Sequence, residues 1–271
     1  MHLISSAIPR VKVAPQPLAG KGVLAAGVII GAWVGLLTYL LAFYQPDWHS
    51  PVPYLLVLLQ THLYTGLYIT GHDAMHGVVS PNKRLNNTIG TVATLLFAYN
   101  WFPGQLAKHH AHHRHVGTSD DPDFHPENHP GFLPWLLRFA WNYVTWWQVA
   151  LMAITYNVLK IWFPQANVIA FWMVPAVLAT LQLFVFGTYL PHRGEHDEDN
   201  HHKSHSQRRW PLHVWAFVSC YFFGYHYEHH DQPYLPWWRL WQAKTADSNG
   251  LNGFRRGACG CCFFGGAGAC S

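Results

Sequence analysis

Charge is what these 271 residues have least of: 11% are Asp, Glu, Lys or Arg, against about 25% in ordinary soluble domains. With half of the chain hydrophobic, that shortage excludes a conventional water-facing surface and points to a bilayer. Runs of basic residues are missing too. The formal charge is only +4 and the 17 basic side chains are spread thinly, so nothing tracks a phosphate backbone and nucleic acid is excluded as a partner. The five cysteines make no disulfide framework, because Cys220 stands in an apolar stretch and the other four crowd into Cys259–Cys270. No HExxH motif or nucleotide-binding fingerprint occurs, which removes zinc proteases and tightly bound dinucleotides. A ferritin-like di-iron bundle needs two Glu-x-x-His units. One exists, Glu198 to His201, and it lies in a polar loop.

What the chain does have is apolar length. Val23–Tyr44 and Val52–Gly71 are free of charge, and at about 1.5 Å per residue each is long enough for a hydrocarbon core of roughly 30 Å. A short connector holding Pro46, Asp47 and Pro51 makes them a hairpin. Trp141–Phe163 and Val168–Leu190 repeat the pattern around Pro164–Asn167, with Lys160 as the single charge, near enough to a helix end to snorkel. Ile89–Phe102 and Val214–Tyr225 are too short to cross and suit re-entrant or interfacial helices. The 14 Trp and 13 Tyr fit headgroup-level belts. Three basic residues precede the first span, five fall between Asp73 and Trp141, eight follow Leu190, and the two inter-span connectors hold none. The positive-inside rule therefore puts both termini and both long polar segments in the cytoplasm. The expected fold is an all-α membrane protein of four transmembrane helices in two hairpins, plus re-entrant or interfacial helices, capped on the cytoplasmic side by a histidine-rich metal centre. Residues 1–22 form a cytoplasmic arm, 23–245 the membrane domain, and 246–271 a Gly/Ala/Cys-rich tail expected to be disordered.

Of 21 histidines, 11 occur in four places: His72/His76, the run His109/His110/His112/His113/His115, His192, and His226/His229/His230. The four-span topology puts all four places at or beyond the cytoplasmic helix ends. His72 and His76 are spaced i, i+4; His226, His229 and His230 are spaced i, i+3, i+4, as are His109, His112 and His113, so each set projects from one helix face. His110 and His115 then point elsewhere or support the others. Imidazole alone does not choose among Zn, Cu, Fe and Ni. Two, three, one and three histidines make nine, more than one zinc uses, and two oxygen-activating irons fit that number better. His62, midway along the second span, reads as a packed or substrate-lining residue. The run His196, His201, His202 and His205 lies among acidic residues and reads as solvated loop, with His205 kept as a lid or supporting candidate.

The strings LYTGLYITGHDAMHG, HHAHHRH with GTSDDPDFH, FGTYLPH and GYHYEHHDQPYLPWWRL resemble the membrane fatty-acid-desaturase and hydroxylase superfamily, and more closely the bacterial β-carotene ketolases, from about Gly22 to Leu240. That resemblance implies two non-haem irons held by His72, His76, His109, His112, His113, His192, His226, His229 and His230. His115 also matches a ketolase position and stands as an alternative ligand, and Asp73, Asp121, Asp123 and Glu228 fall beside ligands where carboxylates orient imidazoles. After PWWRL the family continues with Pro and a short basic tail, whereas here Trp241 begins an unrelated stretch. The activity implied is conversion of the allylic C4 methylene of a β-ionone ring to a ketone (β-carotene to echinenone to canthaxanthin), with O2 as co-substrate and no catalytic side chain beyond the metal centre. Tyr64, Gly66, Tyr68, Phe184 and Phe186 are candidates to line the channel. The partners implied are a carotenoid dissolved in the bilayer, a ferredoxin-type electron donor and membrane lipid, in a bacterial inner or thylakoid-type membrane; oligomeric state is left open. The rival readings are a carotenoid ring hydroxylase, a fatty-acyl desaturase, and a histidine-rich metal transporter or sensor. The last expects ionisable ligands near mid-membrane, where only His62 lies.

Overall fold

A computed structural model describes residues 20–126, 129–194, 203–206 and 212–245, all helix and connecting loop. The expected tail, nearly all of the N-terminal arm, and His196, His201 and His202 lie outside the described residues. The helices are α1 (Lys21–Ala42), α2 (Val52–Met75), α3 (Lys83–Ala98), α4 (Phe102–His115), α5 (Phe132–Tyr143) and α6 (Trp146–Trp162). They continue with α7 (Gln165–His192), α8 (Leu212–Cys220) and α9 (His226–Asp231), then a 3-10 turn at Trp237–Arg239.

α1, α2 and α7 are each long and apolar enough to cross a membrane. α1 and α2 form the expected hairpin. Its connector is organised by Asp47, whose carboxylate accepts from the His49 N–H, and by Ser50, whose hydroxyl accepts from the Val52 N–H. α7 returns beside them: the Asn167 amide donates to the carbonyls of Leu40 and Tyr44 at 2.8 Å each. Phe171 also stacks on Trp48. Both inter-helix connectors therefore sit at one end of the bundle. Because α2 and α7 each run more than 20 residues beyond that end, His72 and His192 are carried to the opposite one.

The third expected span is divided. Trp141–Phe163 breaks at Val144 and Thr145, both extended, where the Thr145 side chain and Gln148 form a capping box that starts a new helix. The resulting α6 has 17 residues, about 25 Å, against 22, 24 and 28 in α1, α2 and α7. Val149, Ile154, Val158, Ile161 and Trp162 along it are exposed, an apolar face suited to lipid. The short runs fall in helices of 16 and 9 residues. Ile89–Phe102 ends α3, which starts earlier because the Asn82 side chain caps the Arg84 and Leu85 N–H groups. Val214–Tyr225 ends α8, whose exit places Tyr221 and Phe222 at positive φ (47° and 64°).

α3 packs closely on α2. The Asn86 amide donates to the Ala74 carbonyl at 2.8 Å, and Gly90 admits Phe102 and Ala74 where a Cβ would lie 2.5 Å and 2.7 Å from them. The main core, with Trp33, Tyr64, Leu67, Phe97, Trp172 and Leu183 among its members, fills the space between α1, α2, α3 and α7.

Candidate metal centre

The four histidine-bearing segments converge beyond the bundle core. Their side chains form two groups, each offering one nitrogen per residue within 4.8 Å of the others. One group is His72 and His76 from α2, His109 from α4 and His229 from α9. The other is His112 from α4, His192 from α7, and His226 and His230 from α9. His113 lies between them: its Nε2 is 3.1 Å from Nε2 of both His109 and His229, and its ring stacks on His230 at 4.2 Å. The structure thus brings together all nine residues named from the sequence. The helical spacing explains the division. Around a helix, residue i+3 lies about 60° to one side of i and i+4 about 40° to the other, so His112 on α4 parts from His109, and His229 on α9 parts from His226 and His230.

The ring nitrogens meet through Nε2. His76 and His109 approach to 2.6 Å, His112 and His230 to 3.1 Å, His226 and His230 to 3.0 Å. Two of the rings are held from behind. His112 Nδ1 lies 2.9 Å from the Asp121 carboxylate and His192 Nδ1 lies 2.8 Å from the Lys203 carbonyl, which puts the proton on Nδ1 and leaves Nε2 as an inward lone pair. His72 Nε2 is buried with no hydrogen-bond partner among the described residues. Converging lone pairs and an orphaned buried nitrogen are what metal ions would satisfy, so the residues present fit a pair of imidazole-ligated ions.

Electrostatics favour the neutral form, the one in which imidazole can ligate, for most of the cluster. Burial first, then the charges that neighbouring histidines would carry, holds His109, His226, His229 and His230 well below the ordinary imidazole value. Burial, with a smaller effect of His110, pushes His76 down to about 3. His112 goes the other way: burial lowers it, but Asp123 and Asp121 outweigh burial and raise it. Burial likewise raises Asp123, while the His112 contact overcomes burial and lowers Asp121.

The supporting carboxylates have separate tasks. Asp121 accepts from His112 and from the Gly117 and Asp123 N–H groups, each at 2.9 Å. Asp123 lies 3.8 Å from His112 Nδ1, receives the Tyr143 hydroxyl, and is fixed through its carbonyl by the Trp135 indole at 2.7 Å. Asp73 accepts from the Trp237 N–H at 3.2 Å and stands 3.8 Å from His72 Nδ1. Glu228 is buried and meets Lys244 at 3.0 Å. His115 and His205 are exposed; the His205 N–H donates to the Pro191 carbonyl.

A narrow cavity touches both groups. Tyr68, Phe139, Leu183, Gly187, Thr188 and Phe223 line it alongside His72, His109, His112, Asp123 and His226. Of the channel candidates, Tyr68 alone borders it. Tyr64 packs edge-on against Trp33 at 5.1 Å, Phe184 is buried against Phe132 and Phe139, Phe186 packs on the main core, and Gly66 faces Tyr221. His62 stacks on Tyr221 at 4.2 Å, away from the histidine groups. Sequence reasoning missed Gly187, Thr188, Phe223, Tyr143, Trp135 and Lys244. The first two stand in the FGTYLPH string, and the rest carry no local signal.

The fatty acid desaturase family model matches residues 46–147 and 135–249. Over 233 residues the chain is 38% identical to the "Beta-carotene ketolase" of Paracoccus sp. (strain N81106 / MBIC 01143), covering 84% of this chain and 94% of that protein. It is 35% identical over 235 residues to the "Zeaxanthin 4-ketolase" of Chlamydomonas reinhardtii, covering 81% of this chain and 52% of the relative. A shorter stretch of 117 residues, 39% of this chain and 31% of the relative, is 34% identical to the "sn-1 acyl-lipid omega-3 desaturase (ferredoxin)" of Synechocystis sp. (strain ATCC 27184 / PCC 6803 / Kazusa). With matches of that length around every histidine segment, the chain belongs to the fatty acid desaturase family and, within it, to the β-carotene ketolases.

Proposed function

We propose that this chain, a β-carotene 4-ketolase by the family it belongs to, works as a membrane oxygenase with two non-haem irons. One would be held by His72, His76, His109 and His229, the other by His112, His192, His226 and His230, with His113 between them. The observation that carries this reading is the pairing of two four-histidine groups with His113 between them, its Nε2 on His109 and His229 of one and its ring stacked on His230 of the other. Nitrogen donors do not select iron by themselves; family membership supplies that part.

When bound, the irons would supply oxygen activation and removal of an allylic hydrogen. The chain's residues do the positioning. Asp121 and the Lys203 carbonyl fix the inward nitrogens of His112 and His192, and Asp123 is locked by Tyr143 and Trp135. Phe139, Leu183 and Phe223 limit water at the cavity, where an apolar ring is to be oriented. Two oxidations at C4 give a geminal diol, and loss of water leaves the ketone.

α6 completes a fourth crossing in this reading, short enough to need local thinning of the bilayer, and the basic segments around the histidines face the cytoplasm. There a ferredoxin-type donor delivers electrons, as the printed name of the Synechocystis relative supports for that protein. The test is expression in a β-carotene-making host with pigment extraction, alongside metal analysis of the purified chain. Echinenone and canthaxanthin with two irons per chain are expected, and His229→Ala loses both. Zeaxanthin as the product, or zinc in place of iron, would overturn the proposal.

A further inference from the structure

Thr188 lines the cavity at both histidine groups and is 3% exposed. Threonines within these helices commonly return their hydroxyl to the carbonyl four residues back: Thr61, Thr65, Thr70, Thr94 and Thr180 all do so, at 2.8–3.1 Å. Thr188 makes no such bond: its hydroxyl donates to no carbonyl among the described residues, and the residue opens onto the cavity. The reason is local. Phe184–Tyr189 is a π-helical stretch within α7, whose end bonds the Leu190 N–H back to Val185, so the backbone is widened where Thr188 sits. π-turns of this kind are concentrated at functional sites.

Position adds to this. Thr188 precedes His192 by one turn, as Tyr68 precedes His72, which places the hydroxyl about 6 Å along the helix on the bilayer side of the metal groups. Leu183, Phe139, and Phe223 pressed onto Gly187, where a Cβ would lie 2.5 Å from the Phe223 ring, make up the apolar part of the lining, with Tyr68 and Asp123 as its other polar groups beside the histidines.

From this geometry we infer that Thr188 is a positioning residue for the second oxidation, holding the C4 alcohol by a hydrogen bond so that the same carbon is attacked again. The inference rests on the ketolase reading. A hydrocarbon ring has nothing to offer the Thr188 hydroxyl. The alcohol formed by the first oxidation has a donor and an acceptor, and a buried hydroxyl left unpaired is costly. Pairing the two satisfies both and stops the ring from sliding to present C3 or leaving. Each hydroxylation consumes one O2, two electrons from a reduced iron–sulfur carrier and two protons, inserts one oxygen into a C–H bond and releases one water. The second yields the geminal diol, which loses water.

The experiment compares Thr188→Val, which keeps the shape without the hydroxyl, with Thr188→Ser and Tyr68→Phe. Pigments from a β-carotene-making host give the ratio of 4-hydroxylated to 4-keto rings. Quenching of tryptophan fluorescence in the purified chain, without electron donor, gives the relative affinity for 4-hydroxy-β-carotene and β-carotene. Thr188→Val is expected to raise the alcohol-to-ketone ratio about five- to tenfold and to lose the preference for the alcohol by a similar factor, the worth of one hydrogen bond; Thr188→Ser stays near wild type. A Thr188→Val protein that makes no product is judged on the affinity measurement alone. Unchanged ratio and preference in Thr188→Val, or the same changes arising in Tyr68→Phe instead, overturn the inference while leaving a ketone-forming wild type intact. A wild type that forms no ketone removes the ketolase reading, and this inference with it.

Discussion

Asp121→Asn separates the support of the metal centre from its ligands. The carboxylate receives three hydrogen bonds: Oδ1 takes His112 Nδ1 and the Asp123 N–H, and Oδ2 takes the Gly117 N–H, each at 2.9 Å. An asparagine can place its carbonyl on the first pair, but its NH2 then opposes the Gly117 N–H, donor against donor. One bond is lost and the others lose their charge assistance, about 1.5–3 kcal/mol for a bond to an ionised acceptor. His112 keeps its place but becomes a weaker base on a less firmly held ring. Loss of such an outer partner typically lowers metal affinity 10- to 100-fold, about 1.4–2.7 kcal/mol. The loss should fall on the group of His112, His192, His226 and His230, because the other group contains no residue bonded to Asp121. Iron titration against a chelator of known affinity should therefore show one unchanged site and one weakened site, with ketone formation falling in step. Asp121→Ala, which strips the partner from two backbone N–H groups as well, should lose more, including thermal stability in detergent. Equal weakening of both sites, or wild-type iron affinity in Asp121→Asn, would refute the assignment of Asp121 to one site.

Three other outcomes follow from the same geometry. His113→Ala should weaken chiefly the iron of the His72 group, because its Nε2 meets His109 and His229 of that group while only its ring face reaches His230 of the other, whereas alanine at exposed His115 or His205 should leave iron content at two per chain; elemental analysis distinguishes them. Asn167→Ala removes two hydrogen bonds joining α7 to the end of α1 and should cost about 1–2 kcal/mol, read as a lower unfolding midpoint in detergent with unchanged iron content. Lys244→Met leaves the buried Glu228 carboxylate without its 3.0 Å partner and should cost about 3 kcal/mol. Adding Glu228→Gln should recover most of that stability, and a double variant no better than the single would show that the pair contributes little.

How far the sequence reveals this protein depends on whether a property is local. The i, i+4 and i, i+3, i+4 spacings of His72/His76, His109/His112/His113 and His226/His229/His230 fix which face of each helix carries the histidines, and that face survives folding. The grouping of histidines across helices does not follow from spacing. α4 and α9 each divide their histidines between the two groups, and which residue goes where is decided by how those helices cross, a matter of contacts more than 100 residues apart in the chain. Hydropathy has the same reach and the same limit. It marks α1, α2 and α7, but it runs through Val144 and Thr145 because apolar content continues there, although the Thr145-x-x-Gln148 pattern that starts α6 is itself a readable stop-and-start signal.

The site's finer determinants lie further from local pattern. Thr188 and Gly187 look like ordinary members of an apolar helix, and only the π-helical widening of α7 and the approach of Phe223 give them a place at the cavity. Asp121 is a different case, since its neighbourhood to the histidine run is visible, but its hold on His112 requires the loop after α4 to turn back at Gly117, at φ 68°. That turn is possible because glycine pays no Cβ penalty at positive φ, and a side chain there would meet Lys203 at 2.8 Å. Lys203 in turn supplies the carbonyl that orients His192. One glycine therefore connects the anchors of two histidines in the same group, so the geometry of that group is set as much by the loops behind the histidines as by the helices that carry them.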